Sequence, residues 1–127
     1  MCVGWAADQP AKDLTGHYEL TKSSKSAFSF DVQQKGKTAI ISFSAAHVDG
    51  SGAAPDGDGV GKVNNKGELV FTWTDSFSNA GTAVFRQDGK RYRLSMEPLK
   101  VEEPRAVVFY GDILLKRTST KPTAIER

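Results

Sequence analysis

The chain is expected to be all-β, with about eight antiparallel strands in an up-and-down meander closing into a barrel or nearly so; a β-sandwich is the alternative. Three observations lead there. Apolar and polar residues alternate with period two from Leu14 to Leu115, with no stripe at helical spacing. Turn-forming residues recur at short, near-even intervals, helped by 12 glycines against 5 prolines. No long return connection of the kind a sandwich needs interrupts the series, and closure removes the exposed edges that a meander would otherwise keep.

The elements follow in order. Leu14–Leu20 is the first strand, with Leu14, Tyr18 and Leu20 on one face. A polar turn at 22–25 leads to a second, where Phe28, Phe30 and Val32 alternate with Ser29 and Asp31. Lys35-Gly36-Lys37 turns the chain into a third, carrying Ala39, Ile41, Phe43 and Ala45 on its inner face. Asp49 to Gly59 reads as the longest loop, too rich in Gly and Asp for regular structure. A short Gly-rich strand around Val60–Val63 follows, then the hairpin turn Asn64-Asn65-Lys66-Gly67. Leu69, Phe71 and Trp73 face inward on the fifth strand and Ala83 and Phe85 on the sixth. Asp88-Gly89 marks the next hairpin, and Tyr92, Leu94 and Met96 face inward on the seventh. The eighth is expected from Ala106 to about Arg117, with a bulge at Gly111-Asp112. Phe30, Phe43, Leu69, Phe71, Phe85 and Leu94 should be buried together, with Trp73 beside them.

This gives one domain over residues 13–117, an N-terminal segment 1–12 and a polar tail 118–127, in keeping with 127 residues and 13.8 kDa. In Met1–Asp8, Gly4 and Ala6 are small residues of the kind signal peptidase requires. The expected location is therefore periplasmic or secreted, with lipid anchoring through Cys2 as the alternative. Cys2 is the one cysteine, so no intrachain disulfide or thiol pair exists. No run of about eighteen apolar residues is present, so no membrane span is expected. Monomer or weak dimer is the expected state.

Leu14-Thr15-Gly16-His17-Tyr18 resembles the opening of calycin barrels, the lipocalin and avidin group, in which a Gly-x-Trp sits at one barrel mouth. In lipocalins a basic residue near the end of the last strand packs over that tryptophan. The matching positions here are Gly16, Tyr18 and Arg117, with tyrosine where the family has tryptophan. The resemblance spans five residues and the strand count, and implies architecture without a ligand.

Several segments look like sites and fail on chemistry. Asp56-Gly57-Asp58-Gly59 would open a calcium loop, but its fifth and twelfth positions are Val60 and Gly67, neither of which offers a side-chain oxygen. Gly57 to Lys62 suggests a phosphate loop, yet Val63 holds the Ser/Thr position and a hairpin follows in place of a helix. His17 and His47 should point outward, and His47 with Asp49 is the near pair, without a marked serine partner. The carboxylates Asp31, Asp75, Glu97 and Asp112 are too scattered for paired acid–base roles.

Nucleic acid is not an expected partner. Net charge is +2, with the basic excess confined to residues 86–127 (ten Lys/Arg against six Asp/Glu). Arg86, Lys90, Arg91 and Arg93 lack exposed aromatics between them for base stacking. No catalytic constellation, metal cluster or cofactor motif emerges, so no enzyme activity and no cofactor are expected. Phe77 stands out as an aromatic within the polar loop Asp75–Asn79. Asp75, Phe77, Asn79 and Tyr110 are the candidate contact residues. The expected function is binding of a small apolar or amphipathic ligand at a barrel mouth. The alternative is a protein–protein module, such as an enzyme inhibitor or immunity protein acting through its loops.

Overall fold

The computed structural model describes residues 13–21 and 25–122. The readings at Cys2, Gly4 and Ala6, and most of the turn at 22–25, lie outside these. The strands are β1 (Gly16–Leu20), β2 (Ser26–Lys35), β3 (Thr38–His47), β4 (Asp56–Val63), β5 (Leu69–Asp75), β6 (Ala80–Asp88), β7 (Arg91–Lys100) and β8 (Asp112–Ser119). Each pairs antiparallel with its sequence neighbour, and β8 pairs with β1 to close the barrel. No helix among the described residues is long and apolar enough to cross a membrane.

The alternation read from the sequence is the register of the wall. Leu69, Phe71 and Trp73 are buried while Val70, Thr72 and Thr74 are exposed, and the same two-residue beat runs through β3 and β7. At Gly67 the β4–β5 turn needs φ of 80°, accessible to glycine at no steric cost. Inside, side chains fill the cross-section, as an eight-strand barrel permits. Tyr18, Phe30, Phe85 and Tyr92 pack in the lower half, with Phe30 to Phe85 centroids 4.7 Å apart. Phe28, Phe43 and Trp73 pack in the upper half, and Phe71 stacks on Phe30 at 5.7 Å. Burying one such ring contributes roughly 1.5–3 kcal/mol, and a tilted or edge-on ring pair about 0.5–1.5 more.

Three expectations are corrected. Residues Asp56–Gly59 belong to β4 and not to a loop. Their composition hides a true alternation, with Asp56, Asp58, Val60 and Lys62 outward and Gly57, Gly59 and Gly61 inward. A Cβ on any of these glycines would collide with the β5 backbone at Thr74, Thr72 or Val70, so only glycine lets the two strands lie as they do. Second, the apolar run from Val107 is not strand. Val107–Phe109 forms a 3-10 turn, Tyr110 is extended after it, and β8 starts only at Asp112. Pro104 before the run and Gly111 (φ 124°) after it bracket this turn. Third, β1 begins at Gly16, since Leu14 and Thr15 precede the ladder, and β8 continues to Ser119, two residues beyond Arg117.

The two ends of the barrel differ. At one, short turns join β2 to β3, β4 to β5 and β6 to β7. Tyr18 closes it: its hydroxyl donates to the Leu14 carbonyl at 2.6 Å, and the Arg117 guanidinium lies over its ring at 5.5 Å and over Tyr92 at 5.6 Å. Arg117 Nη2 donates to the carbonyls of Thr15 and Asp13, while its Nε is buried without a hydrogen-bond partner. Gly16 permits this approach, because a Cβ there would sit 2.6 Å from the Ser119 carbonyl oxygen and 3.0 Å from Arg117 Nε. Gly16, Tyr18 and Arg117 thus meet in space. The opposite end carries the longer connections.

Candidate functional site at the long-connection end

Residues 76–79 join β5 to β6 as a tight turn built around Asp75. Asp75 Oδ1 accepts the backbone N–H groups of Phe77 (2.8 Å) and Asn79 (2.9 Å), a side-chain cap that substitutes for ladder bonds. Ser78 takes the left-handed conformation at φ 67°, unusual for a residue with a side chain. The turn is held in a strained shape by its carboxylate.

Asn79, fully buried, ties this turn to the connection between β7 and β8. Its Oδ1 accepts the N–H groups of Glu102 (2.6 Å) and Glu103 (2.9 Å), and its Nδ2 donates to Asp75 Oδ2 and to the Glu103 carbonyl. The far side of that connection returns as Tyr110, whose hydroxyl donates to Asp75 Oδ2 at 2.6 Å. Its ring meets Trp73 at 4.8 Å and Phe43 at 5.7 Å, both edge-on. Burial and the neighbouring Asp75 carboxylate push the Tyr110 hydroxyl's pKa well up, so it stays a donor at all physiological pH. Phe109 packs on His47 at 4.7 Å. The exposed Arg105 side chain bonds Glu103 and holds that carboxyl down at about 2.

Of the four candidate contact residues, Asp75, Asn79 and Tyr110 therefore converge in one hydrogen-bonded cluster. Phe77 is half-buried at the tip of the turn and contributes its backbone N–H to Asp75. Around this end lie the exposed apolar side chains of Val48, Leu99, Val101 and Val108, each on or beside a connection.

Two features escaped the sequence reading. On the outer wall His17 sits between Asp31 (Nδ1 to Oδ1, 2.7 Å) and Glu19 (Nε2 to Oε2, 2.9 Å). Asp31 points outward by alternation yet is only 1% exposed. Burial works against the imidazolium, but the hydrogen bonds and charges of the two carboxylates outweigh it, and the His17 pKa is raised. Both ring nitrogens face carboxylates, an arrangement that favours the protonated ring. His17 and Glu19 two residues apart were visible in the sequence; Asp31 is their neighbour only through the β1–β2 register. His47 packs on Phe109. The second feature is a groove of about 1080 Å³ on the outer face over β3 to β6, lined by Ser42, Asp58, Val60, Thr72, Thr74 and Thr82 among others. Gly57 and Gly59 of β4 lie along it. Among the described residues no three His, Cys, Asp or Glu side chains converge to hold a metal ion.

Compared with known proteins, the chain matches no family model, no curated protein and no solved structure.

Proposed function

We propose that this barrel is a non-catalytic binding protein that takes a small apolar or amphipathic ligand at its long-connection end, in the place now filled by Tyr110. One observation carries the reading: that end is closed by a side chain on a connecting segment, not by a residue of the wall. Tyr110 is half-buried and rests on Phe43 and Trp73 through ring edges and one hydroxyl bond. Connections reorganise at lower cost than ladders do, and ligand sites are drawn from such low-stability segments. A ligand entering here would inherit an aromatic floor and a carboxylate that fixes its orientation, the usual composition of a small-molecule site. The apolar fringe of Val48, Leu99, Val101 and Val108 would guide an apolar body toward it. Export, suggested by Gly4 and Ala6, belongs to the same proposal and is read by sequencing the mature N-terminus from the native cell.

The test is a titration with the neutral fluorophore N-phenyl-1-naphthylamine, followed by amide and aromatic NMR shifts. Shifts at Phe43, Trp73 and Tyr110 with none at Tyr18 support the reading. Shifts confined to the outer groove at Ser42, Thr72 and Thr82, or no binding, overturn it. The same exposed fringe favours a second reading, a protein–protein module acting through its loops; there the charged variant Leu99→Asp would abolish partner binding and leave fluorophore binding intact.

A further inference from the structure

The chemistry of the Tyr110 cradle narrows the ligand, and this step rests on the reading that the long-connection end is a binding site. Asp75 is 9% exposed, and every hydrogen bond it receives comes from a neutral donor: the N–H groups of Phe77 and Asn79, the Asn79 amide and the Tyr110 hydroxyl. No Lys or Arg among the described residues forms an ion pair with it. Arg105, on the same connection as Tyr110, is bound to Glu103. Asp56, at the start of β4, lies against the same turn: its N–H donates to Ser76 Oγ, and its carbonyl accepts the Ser76 N–H. The Tyr110 hydroxyl feels the charges of both Asp75 and Asp56. The cradle thus combines a buried anion lacking a counter-cation with the π systems of Phe43 and Trp73, and Phe28 stacks behind Phe43 at 5.9 Å. A buried charge in such a setting is best matched by an opposite charge that also hydrogen-bonds. The face of an aromatic ring adds attraction for a cation and none for an anion.

We infer that the ligand of this mouth is an organic ammonium ion bearing an aromatic ring. Its N–H replaces the Tyr110 hydroxyl on Asp75 Oδ2, and its ring replaces the phenol against Phe43 and Trp73. Tyr110 is then an internal stand-in that supplies the ring and the hydrogen bond but not the charge. The external ligand prevails because it brings the charge as well.

Three near-isosteric probes separate the possibilities by calorimetry on the full chain: 2-phenylethylammonium, 2-phenylethanol and 3-phenylpropionate. The ammonium should bind at least about tenfold tighter than the alcohol, with the carboxylate weakest. Tyr110→Phe keeps the ring and the anion but removes the competing hydroxyl, so it should tighten the ammonium selectively. Asp75→Asn should erase the preference for the ammonium; should that variant lose its cooperative melt, Tyr110→Phe decides alone. Equal affinity for alcohol and ammonium, or tighter binding of the carboxylate, while N-phenyl-1-naphthylamine still binds at the mouth, overturns the ligand class and leaves the site standing. Failure of the fluorophore as well removes the site itself.

Discussion

Each end of the barrel is closed by a tyrosine whose hydroxyl makes a 2.6 Å hydrogen bond, and the two closures are built on opposite principles. Tyr18 is a wall residue, fully buried on β1, bonded to a backbone carbonyl and covered by Arg117 from β8. Tyr110 is a connection residue, half-buried, bonded to the carboxylate of Asp75 at the end of β5. Removing the first breaks into two adjoining strands and the pairing that closes the barrel. Removing the second disturbs a segment with no ladder of its own. The difference teaches that the same side chain is a keystone or a stopper according to what carries its backbone.

Substitutions test that contrast, beginning where the effect is largest. Tyr18→Ala should cost about 3–5 kcal/mol, the range for deleting a buried aromatic, and would also strip Arg117 of a ring beneath its guanidinium. That is a large share of the roughly 5–15 kcal/mol total stability of a small domain. Urea unfolding should show a lost or sharply lowered midpoint, and a midpoint near the parent's would break the distinction between the ends. Trp73→Ala should cost a similar amount, about 3–5 kcal/mol, because the indole lies in the wall and its Nε1 donates to the Thr82 carbonyl.

Tyr110→Ala, by contrast, should cost only about 1–2 kcal/mol, from a half-buried ring and one lost donor to Asp75. Its sharper signature is local: amide exchange at 101–111 should quicken while β1 and β8 keep their protection. Equal loosening at both ends would show the stopper to be a keystone after all. Phe77→Ala should change the melt by within about 1 kcal/mol, since its backbone N–H and not its ring serves the turn. If it destabilises more than Trp73→Ala, the facing of this hairpin is wrong.

Acidity sharpens the contrast from the other side, because His17 belongs to the wall near the Tyr18 end. Its pKa is raised in the folded state, so its stabilising effect is complete below the unfolded value of about 6.5 and is lost as pH rises through the higher folded value. Thermal melts should fall across that window, and His17→Gln should flatten the fall. A parent profile as flat as the variant's would remove the charge bridge to Asp31 and Glu19.

Most of the wall was legible because period two is imposed by the backbone itself, and Trp73 and Phe85 report it wherever one face is apolar. It was illegible at Asp56–Gly59, where the inward members are glycines and the outward ones aspartates, so hydropathy shows no alternation although facing does. Val107–Phe109 misled for the opposite reason: an unbroken apolar run carries no period and suits a covering turn as well as a strand. Asp75, Asn79 and Tyr110 could be singled out as polar or aromatic residues near connections. Their convergence depends on how residues 101–111 cross the mouth, which no local pattern encodes. Asp31 needed the register of a hairpin before it could be placed beside His17.

The inward glycines of β4 also set how closely two strands of the wall approach. In a round barrel of eight strands, side chains on every inward position would leave a wall of even curvature, and any spare volume would lie along the axis. Here three successive inward positions of β4, Gly57, Gly59 and Gly61, carry no side chain, and Val63 alone fills the interior from that strand. The groove over β3 to β6 lies along the same stretch of wall. Alanine at Gly59 would drive its Cβ into the Thr72 carbonyl oxygen, so β4 and β5 would have to part at that point.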